Sequence, residues 1–124
     1  MDAEAVMAWV ATYEHGWRAA DPDSVEHLFT PDAVYRRSPY EPDDVGHDAI
    51  KAFWIDDELT FTVAAEPVAV EGDRAVVRLE VRYGDPVARE YRDLWVLRFA
   101  PDGRVAEFEE WPYFPGQPYS VGDL

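Results

Sequence analysis

Apolar residues recur at helical spacing over residues 2–20. Val6, Trp9, Val10, Tyr13 and Trp17 fall three and four positions apart, which puts all five on one face of a helix. Asp2 stands at the N-cap position. Asp21-Pro22-Asp23-Ser24 reads as a second cap with proline at the first helical position. A short helix follows with Val25, Leu28 and Phe29 inward, and Thr30-Pro31-Asp32 breaks it. Residues 33–37 predict a short strand, and 38–46, rich in Pro, Asp and Gly, a loop. A third helix is expected from His47 to about Asp57, burying Ile50, Phe53 and Trp54.

From Thr60 onward the period drops to two. Phe61-Thr62-Val63 opens a long strand that Pro67 interrupts, which predicts a bulge or a sheet edge there. Glu71-Gly72-Asp73-Arg74 is a hairpin turn. In 75–83, Val77, Leu79 and Val81 share one face, and Arg78, Glu80 and Arg82 the other. Gly84-Asp85-Pro86 turns the chain again before a strand over 88–99. Pro101-Asp102-Gly103 makes the last hairpin, before a strand over 104–113 and a Pro/Gly-rich tail expected to be partly loose. The order predicts one α+β domain over residues 1–124. A curved antiparallel sheet wraps around about three N-terminal helices, and such a cone leaves an internal cavity.

Composition narrows the function classes. Eighteen aromatic residues (five Trp, seven Tyr, six Phe) argue for a packed core despite 30% charged residues. The absence of cysteine excludes disulfides, zinc–thiolate sites and cysteine nucleophiles. The 26 acids outnumber the 11 bases, ten arginines and Lys51, for a net charge of −15. With no basic cluster, neither nucleic acid nor an anionic membrane is an expected partner. No apolar run reaches the ~18 residues of a membrane span, and no basic-then-apolar leader opens the chain. The expected location is cytoplasmic. His15, His27 and His47 have no metal-ligand spacing and there is no Gly-rich phosphate loop, so no metal or cofactor is expected.

The candidate chemistry lies on strand 88–99. Its odd positions, Arg89, Tyr91, Asp93, Trp95, Leu97 and Phe99, carry the aromatics and are placed inward. Asp93 is then a carboxylate between Tyr91 and Trp95 on an apolar face. A hairpin pairing Phe99 with Arg104 sets Asp93 opposite Glu110 and Trp95 opposite Phe108, while a bulged loop is expected to bring Glu109 opposite instead. Two carboxylates that close in a dry site hold one proton between them, the arrangement of a general acid or base. A competing reading pairs one of them with Arg37 in a buried structural ion pair. Tyr13 and Arg37 are candidates to stabilise developing negative charge. Trp17, Tyr35, Phe53, Trp54, Tyr91, Trp95 and Phe108 are candidate walls for a small apolar molecule, or simply core. On the outer face, Leu94 and Val96 suit a second subunit, which predicts a homodimer through the convex sheet.

The segments YEHGWRAADPDSVEHLFTPDAVY, GHDAIKAFW and LWVLRFAPDGRVAEFEEW, in this order and spacing, resemble the SnoaL-like branch of the nuclear transport factor 2-like superfamily. The resemblance covers most of the chain. It implies a cone-shaped α+β barrel with an internal ligand cavity, often dimeric through the sheet. Enzymes on this fold include steroid Δ-isomerases, polyketide cyclases, epoxide hydrolases and dehydratases. Tyr13 falls where the isomerases carry a hydrogen-bond-donating tyrosine. Arg37 and Trp95 stand where they carry their two aspartates, so the isomerase mechanism does not transfer. Asp93 resembles the later-strand carboxylates of the cyclases and epoxide hydrolases. Two functions follow: a cofactor-independent enzyme using carboxylate acid–base chemistry, or a module that binds a small ligand without converting it.

Overall fold

A computed structural model describes residues 1–54 and 60–116. The expected end of the third helix near Asp57, the acidic run Asp56-Asp57-Glu58 and the end of the tail lie outside the described residues. Among the described residues the elements are α1 (Ala3–Arg18), α2 (Ser24–Leu28), β1 (Phe29–Arg36), β2 (Asp44–Val45), α3 (His47–Trp54), β3 (Phe61–Glu71), β4 (Arg74–Tyr83), β5 (Arg89–Phe99) and β6 (Val105–Tyr113).

Helix α1 starts where the sequence puts it. The Asp2 carboxylate accepts the Ala5 N–H at 2.8 Å, satisfying one of the orphan donors of the first turn. Its apolar stripe is buried at Val6, Trp9, Val10 and Tyr13. Gly16 ends that stripe, because a Cβ there would stand 2.4 Å from Ser24 Oγ. Helix α2 begins at Ser24 rather than at Pro22, and Asp21 accepts the Asp23 N–H at 3.0 Å to shape the turn before it. Phe29 opens β1 instead of closing α2: it pairs with Val105, and Pro31 and Asp32 face solvent inside the strand.

The sheet runs β2-β1-β6-β5-β4-β3 and is open, with β2 and β3 at its edges. All neighbours are antiparallel except β1 and β6, which run parallel. That pair makes the sheet mixed rather than purely antiparallel, and β2 is a two-residue strand inside the stretch read as loop. Helix α1 packs on β3, and α3 on β1, so the helices bridge the two ends of the curl. Pro67 sits on the edge strand, and the register slips between it and Ala69, so both devices expected for a strand proline occur. The odd residues of β5 face inward, with Asp93, Trp95, Leu97 and Phe99 all buried. No helix among the described residues is long and apolar enough to cross a membrane.

The last hairpin differs from its predicted register. Pro101-Asp102-Gly103 forms a three-residue loop closed by Ala100 N–H to the Arg104 carbonyl at 2.7 Å. Phe99 pairs with Val105 and Arg98 with Glu107, which leaves Ala106 as an extra residue in a bulge. Asp93 therefore stands opposite Pro112, not Glu110 or Glu109, and Trp95 opposite Glu110, not Phe108. Loop and bulge together displace the pairing by two positions. Side chains alternate with a period of two, so Glu110 stays on the inner face, diagonal to Asp93.

Candidate functional site

A cavity of about 320 Å³ opens between the helices and the concave face of the sheet. Helix α1 contributes Tyr13 and Trp17 to its wall, β1 Tyr35, and α3 Phe53 and Trp54. Strands β4, β5 and β6 add Tyr83, then Tyr91 and Trp95, then Glu110. Arg37 lies at the rim, just past the end of β1, with its side chain about half exposed. Sequence reasoning missed Tyr83, although it ends the apolar face of Val77, Leu79 and Val81 and the alternation already placed it inward.

Two expected site residues do not reach the cavity. Phe108 is buried behind it, as the ring on which Tyr35 stacks at 4.3 Å and Tyr13 at 5.6 Å between centroids. Asp93 is 3% exposed and is not among the wall residues. The acid on the wall is Glu110. The alternative pairing of Asp93 with Arg37 is not formed. The Arg37 Nε is 3.2 Å from Asp44 Oδ2 on β2, and its guanidinium lies 4.8 Å over the Phe53 ring.

Asp93 and Glu110 are nonetheless near enough to perturb each other's ionisation. Two neighbouring carboxyls in a buried site do not readily both ionise. Burial, then the neighbouring Asp93 charge, pushes Glu110 well above the carboxylate range. Burial also raises Asp93, but donors oppose the rise. Its Oδ2 accepts the Trp95 indole N–H and its Oδ1 the Trp111 backbone N–H, each at 3.1 Å. These bonds favour negative charge on Asp93 and leave the proton on Glu110. On the other side Glu110 neighbours the Tyr35 hydroxyl, which is 2.9 Å from the Tyr13 hydroxyl. Burial foremost, then the field of Glu110, raises both phenols well above 10.0, so both remain proton donors. The polar groups of Tyr13, Tyr35, Glu110 and Asp93 thus follow one another from α1 across the wall of the cavity into the core.

Other candidates read as structural. His47 Nε2 is 2.8 Å from the Phe29 carbonyl and ties α3 to β1, while His15 and His27 are exposed. No group of three His, Asp or Glu among the described residues is placed to hold a metal ion.

An α+β cone with a carboxyl pair beside an aromatic cavity defines a class of small sheet-wrapped pocket proteins. Within that class, the model of the SnoaL-like domain matches residues 9–108, and the chain belongs to this family. No curated protein matches the sequence. Among solved structures, a candidate SnoaL-like polyketide cyclase from Jannaschia sp. CCS1 superposes with a TM-score of 0.71 at 22% identity, covering 87% of this chain and 84% of that one. A steroid delta-isomerase from Pseudomonas aeruginosa gives 0.66 at 23% identity, over 94% of this chain and 84% of that one. The epoxide hydrolase/cyclase-like enzyme SalBIII of salinomycin pyran ring formation gives 0.67 at 15% identity, over 90% and 93%. At these identities the likeness concerns the fold, and function rests on the site.

Proposed function

We propose that this protein is a cofactor-independent enzyme that moves a proton on a small, largely apolar molecule bearing a carbonyl, enol or epoxide. The observation that carries this reading is the position of Glu110: it lines the cavity, and behind it the buried Asp93 is close enough to raise its pKa. Protonated Glu110 is a general acid toward a ligand oxygen. When the shared proton passes to Asp93, Glu110 becomes a base on the same wall. Tyr13 and Arg37 stabilise negative charge on the ligand oxygen, while Trp17, Tyr35, Phe53, Trp54, Tyr91 and Trp95 enclose its apolar body. Asp93 and Phe108 act from behind the wall, one as charge partner and one as packing.

Hydrogen–deuterium exchange tests this reading before any substrate is identified. Enolisable aryl ketones and cyclic diketones that raise the melting temperature are incubated in D2O and followed by NMR. The wild type accelerates exchange at the carbon next to the carbonyl, and Glu110→Gln lowers that rate by roughly 10²–10⁴-fold, the usual scale of a lost general acid–base group. A ketone that stabilises the protein yet exchanges no faster than in buffer supports the second reading, a binding module without chemistry.

A homodimer through the outer face of β5 and β6 belongs to the same proposal. Leu94 faces Trp111 there, and both are more than a third exposed, as is Tyr113. Sedimentation equilibrium is expected to give a dimer that Trp111→Glu converts to monomer. A monomeric wild type at ~100 μM, weaker than any stable dimer by affinity arithmetic, removes this part of the proposal.

A further inference from the structure

Three voids follow one another outward from the site. The inner cavity shares Arg37, Tyr91 and Glu110 with a chamber of about 290 Å³, whose remaining wall is Arg89, Pro112 and Phe114. That chamber shares Arg89 and Phe114 with a surface groove of about 380 Å³, completed by Val87, Ala88, Glu90 and Pro115. The strand ladder accounts for this neighbourhood. Arg92 pairs with Tyr113, so the chain entering β5 and the chain leaving β6 lie side by side at one end of the sheet. Tyr91 marks the passage from one course to the other. Its ring stands 6.3 Å from that of Tyr83 on the inner wall and 5.4 Å from that of Phe114 outside, between centroids.

The outer course is apolar where it meets solvent. Val87 is 55% exposed and Phe114 44%. Single exposed apolar side chains are ordinary on a protein surface, but these two line one groove that adjoins the cavity. Pro112 and Pro115 bring no backbone N–H to its wall. The acid on the groove, Glu90, is paired with Arg82 at 3.3 Å. Glu110 belongs to the inner cavity and to the chamber beyond it, so it stands part-way along the course rather than at its end.

We infer that the chamber and groove form an apolar subsite, and that the ligand is elongated: a ring-sized body fills the inner cavity, the reacting oxygen meets Glu110 part-way along, and an uncharged apolar chain runs out past Tyr91 along Phe114 and Val87. The inference rests on the cavity reading above and adds the ligand's shape and the polarity of its distal part. Apolar area buried along the groove supplies binding energy remote from the reacting atoms, and an enzyme can use such energy to hold those atoms in place.

Isothermal titration calorimetry with 2-naphthol, whose hydroxyl stands in for an enol, and with 6-hexyl-2-naphthol tests the subsite. A fully buried methylene is worth about fourfold in affinity, so a hexyl chain only half covered by the groove is expected to tighten binding at least tenfold. Val87→Ser and Phe114→Ser are each expected to remove at least threefold of that gain and to leave 2-naphthol within about twofold of its wild-type affinity. Val68→Ser, at an equally exposed valine of β3, is expected to change neither probe. In NMR spectra of the complex, the terminal methyl of the chain is expected to give intermolecular NOEs to Val87 and Phe114. No gain from the chain, a gain that neither Val87→Ser nor Phe114→Ser reduces, or a Val68→Ser effect as large as theirs overturns the inference. So does a gain that emerges only after residues 117–124 are deleted, which would assign the groove to the chain's own end. The two proposals fail separately. Binding of 2-naphthol without a chain effect removes the subsite and leaves the cavity reading. A chain effect in a protein that exchanges no ketone removes the catalysis and leaves the subsite.

Discussion

Asp93 and Glu110 have the same functional group and lie diagonal to each other on one face, yet their surroundings push them toward different states. Asp93 accepts two N–H donors, which favour charge on it, while burial and the Asp93 carboxylate favour the proton on Glu110. This has a consequence for stability. In the unfolded chain Glu110 titrates near its ordinary 4.5, and in the folded state well above it. Below 4.5 both states are protonated and the stabilisation is fully present. As pH rises from there through the folded value, the native state binds more protons than the unfolded one, so stability falls. The difference in unfolding free energy between wild type and Glu110→Gln is therefore expected to turn increasingly against the wild type as pH rises above 4.5. Urea unfolding measures it, and parallel pH curves contradict it. The tryptophans give a second contrast. The Trp9 indole donates to the Leu28 carbonyl at 3.0 Å, whereas the buried Trp54 indole N–H has no hydrogen-bond partner among the described residues. Trp9→Phe leaves a buried acceptor unsatisfied and is expected to cost about 1–3 kcal/mol beyond the packing loss. Trp54→Phe removes an unsatisfied donor, and its net cost in the same assay is expected to be the smaller of the two.

At the scale of elements, what is periodic was legible and what depends on distant partners was not. The α1 stripe and the inward face of β5 follow from spacing alone, because burial on one face leaves a pattern in the chain itself. The start of β1 was hidden because Thr30-Pro31-Asp32 carries the local signs of a breaker; its pairing with Val105 overrides them. Strand β2 is too short to show a period, and its Asp44 took the Arg37 that the sequence offered to Asp93. The facing pair on the last hairpin was misplaced because Ala106 is an ordinary residue in a bulge that only the β5 ladder defines. The face survived because the displacement was even. Wall and core could not be separated either, since Tyr35 and Phe108 stack on each other and only one of them reaches the cavity. Gly16 carried a further signal, a glycine in the buried stripe of α1. Its missing Cβ is where Ser24 sits, 2.4 Å from Oγ and 2.6 Å from Cβ. Gly16→Ala is expected to lower stability by about 1–3 kcal/mol, the usual cost of overpacking. Adding Ser24→Gly is expected to recover part of it. Equal stability of Gly16→Ala and wild type in urea would show that α1 and α2 can separate freely.

For the molecule as a whole, the excess of acids acts in two opposed ways. The paired charges are on the surface, as in Arg78 with Glu66 and Arg98 with Glu107, where each pair contributes about 0–1 kcal/mol and weakens with salt. The unpaired excess of −15 repels itself across a small body and destabilises the compact state, and salt weakens that repulsion too. The pairs are separate and shallow, while the repulsion sums over every acid, so the second effect is the larger. The melting temperature is expected to rise as NaCl goes from about 20 mM to 500 mM, where the Debye length shrinks from well above 10 Å to a few ångströms. A falling melting temperature would mean that the pairs dominate. The same screening acts on ligands. At low salt the total charge opposes any anion in solution. An acid ligand is therefore expected to associate faster in moderate salt than in very low salt. Its neutral amide, which the field does not act on, is expected to show no such change in stopped-flow measurements of the association rate.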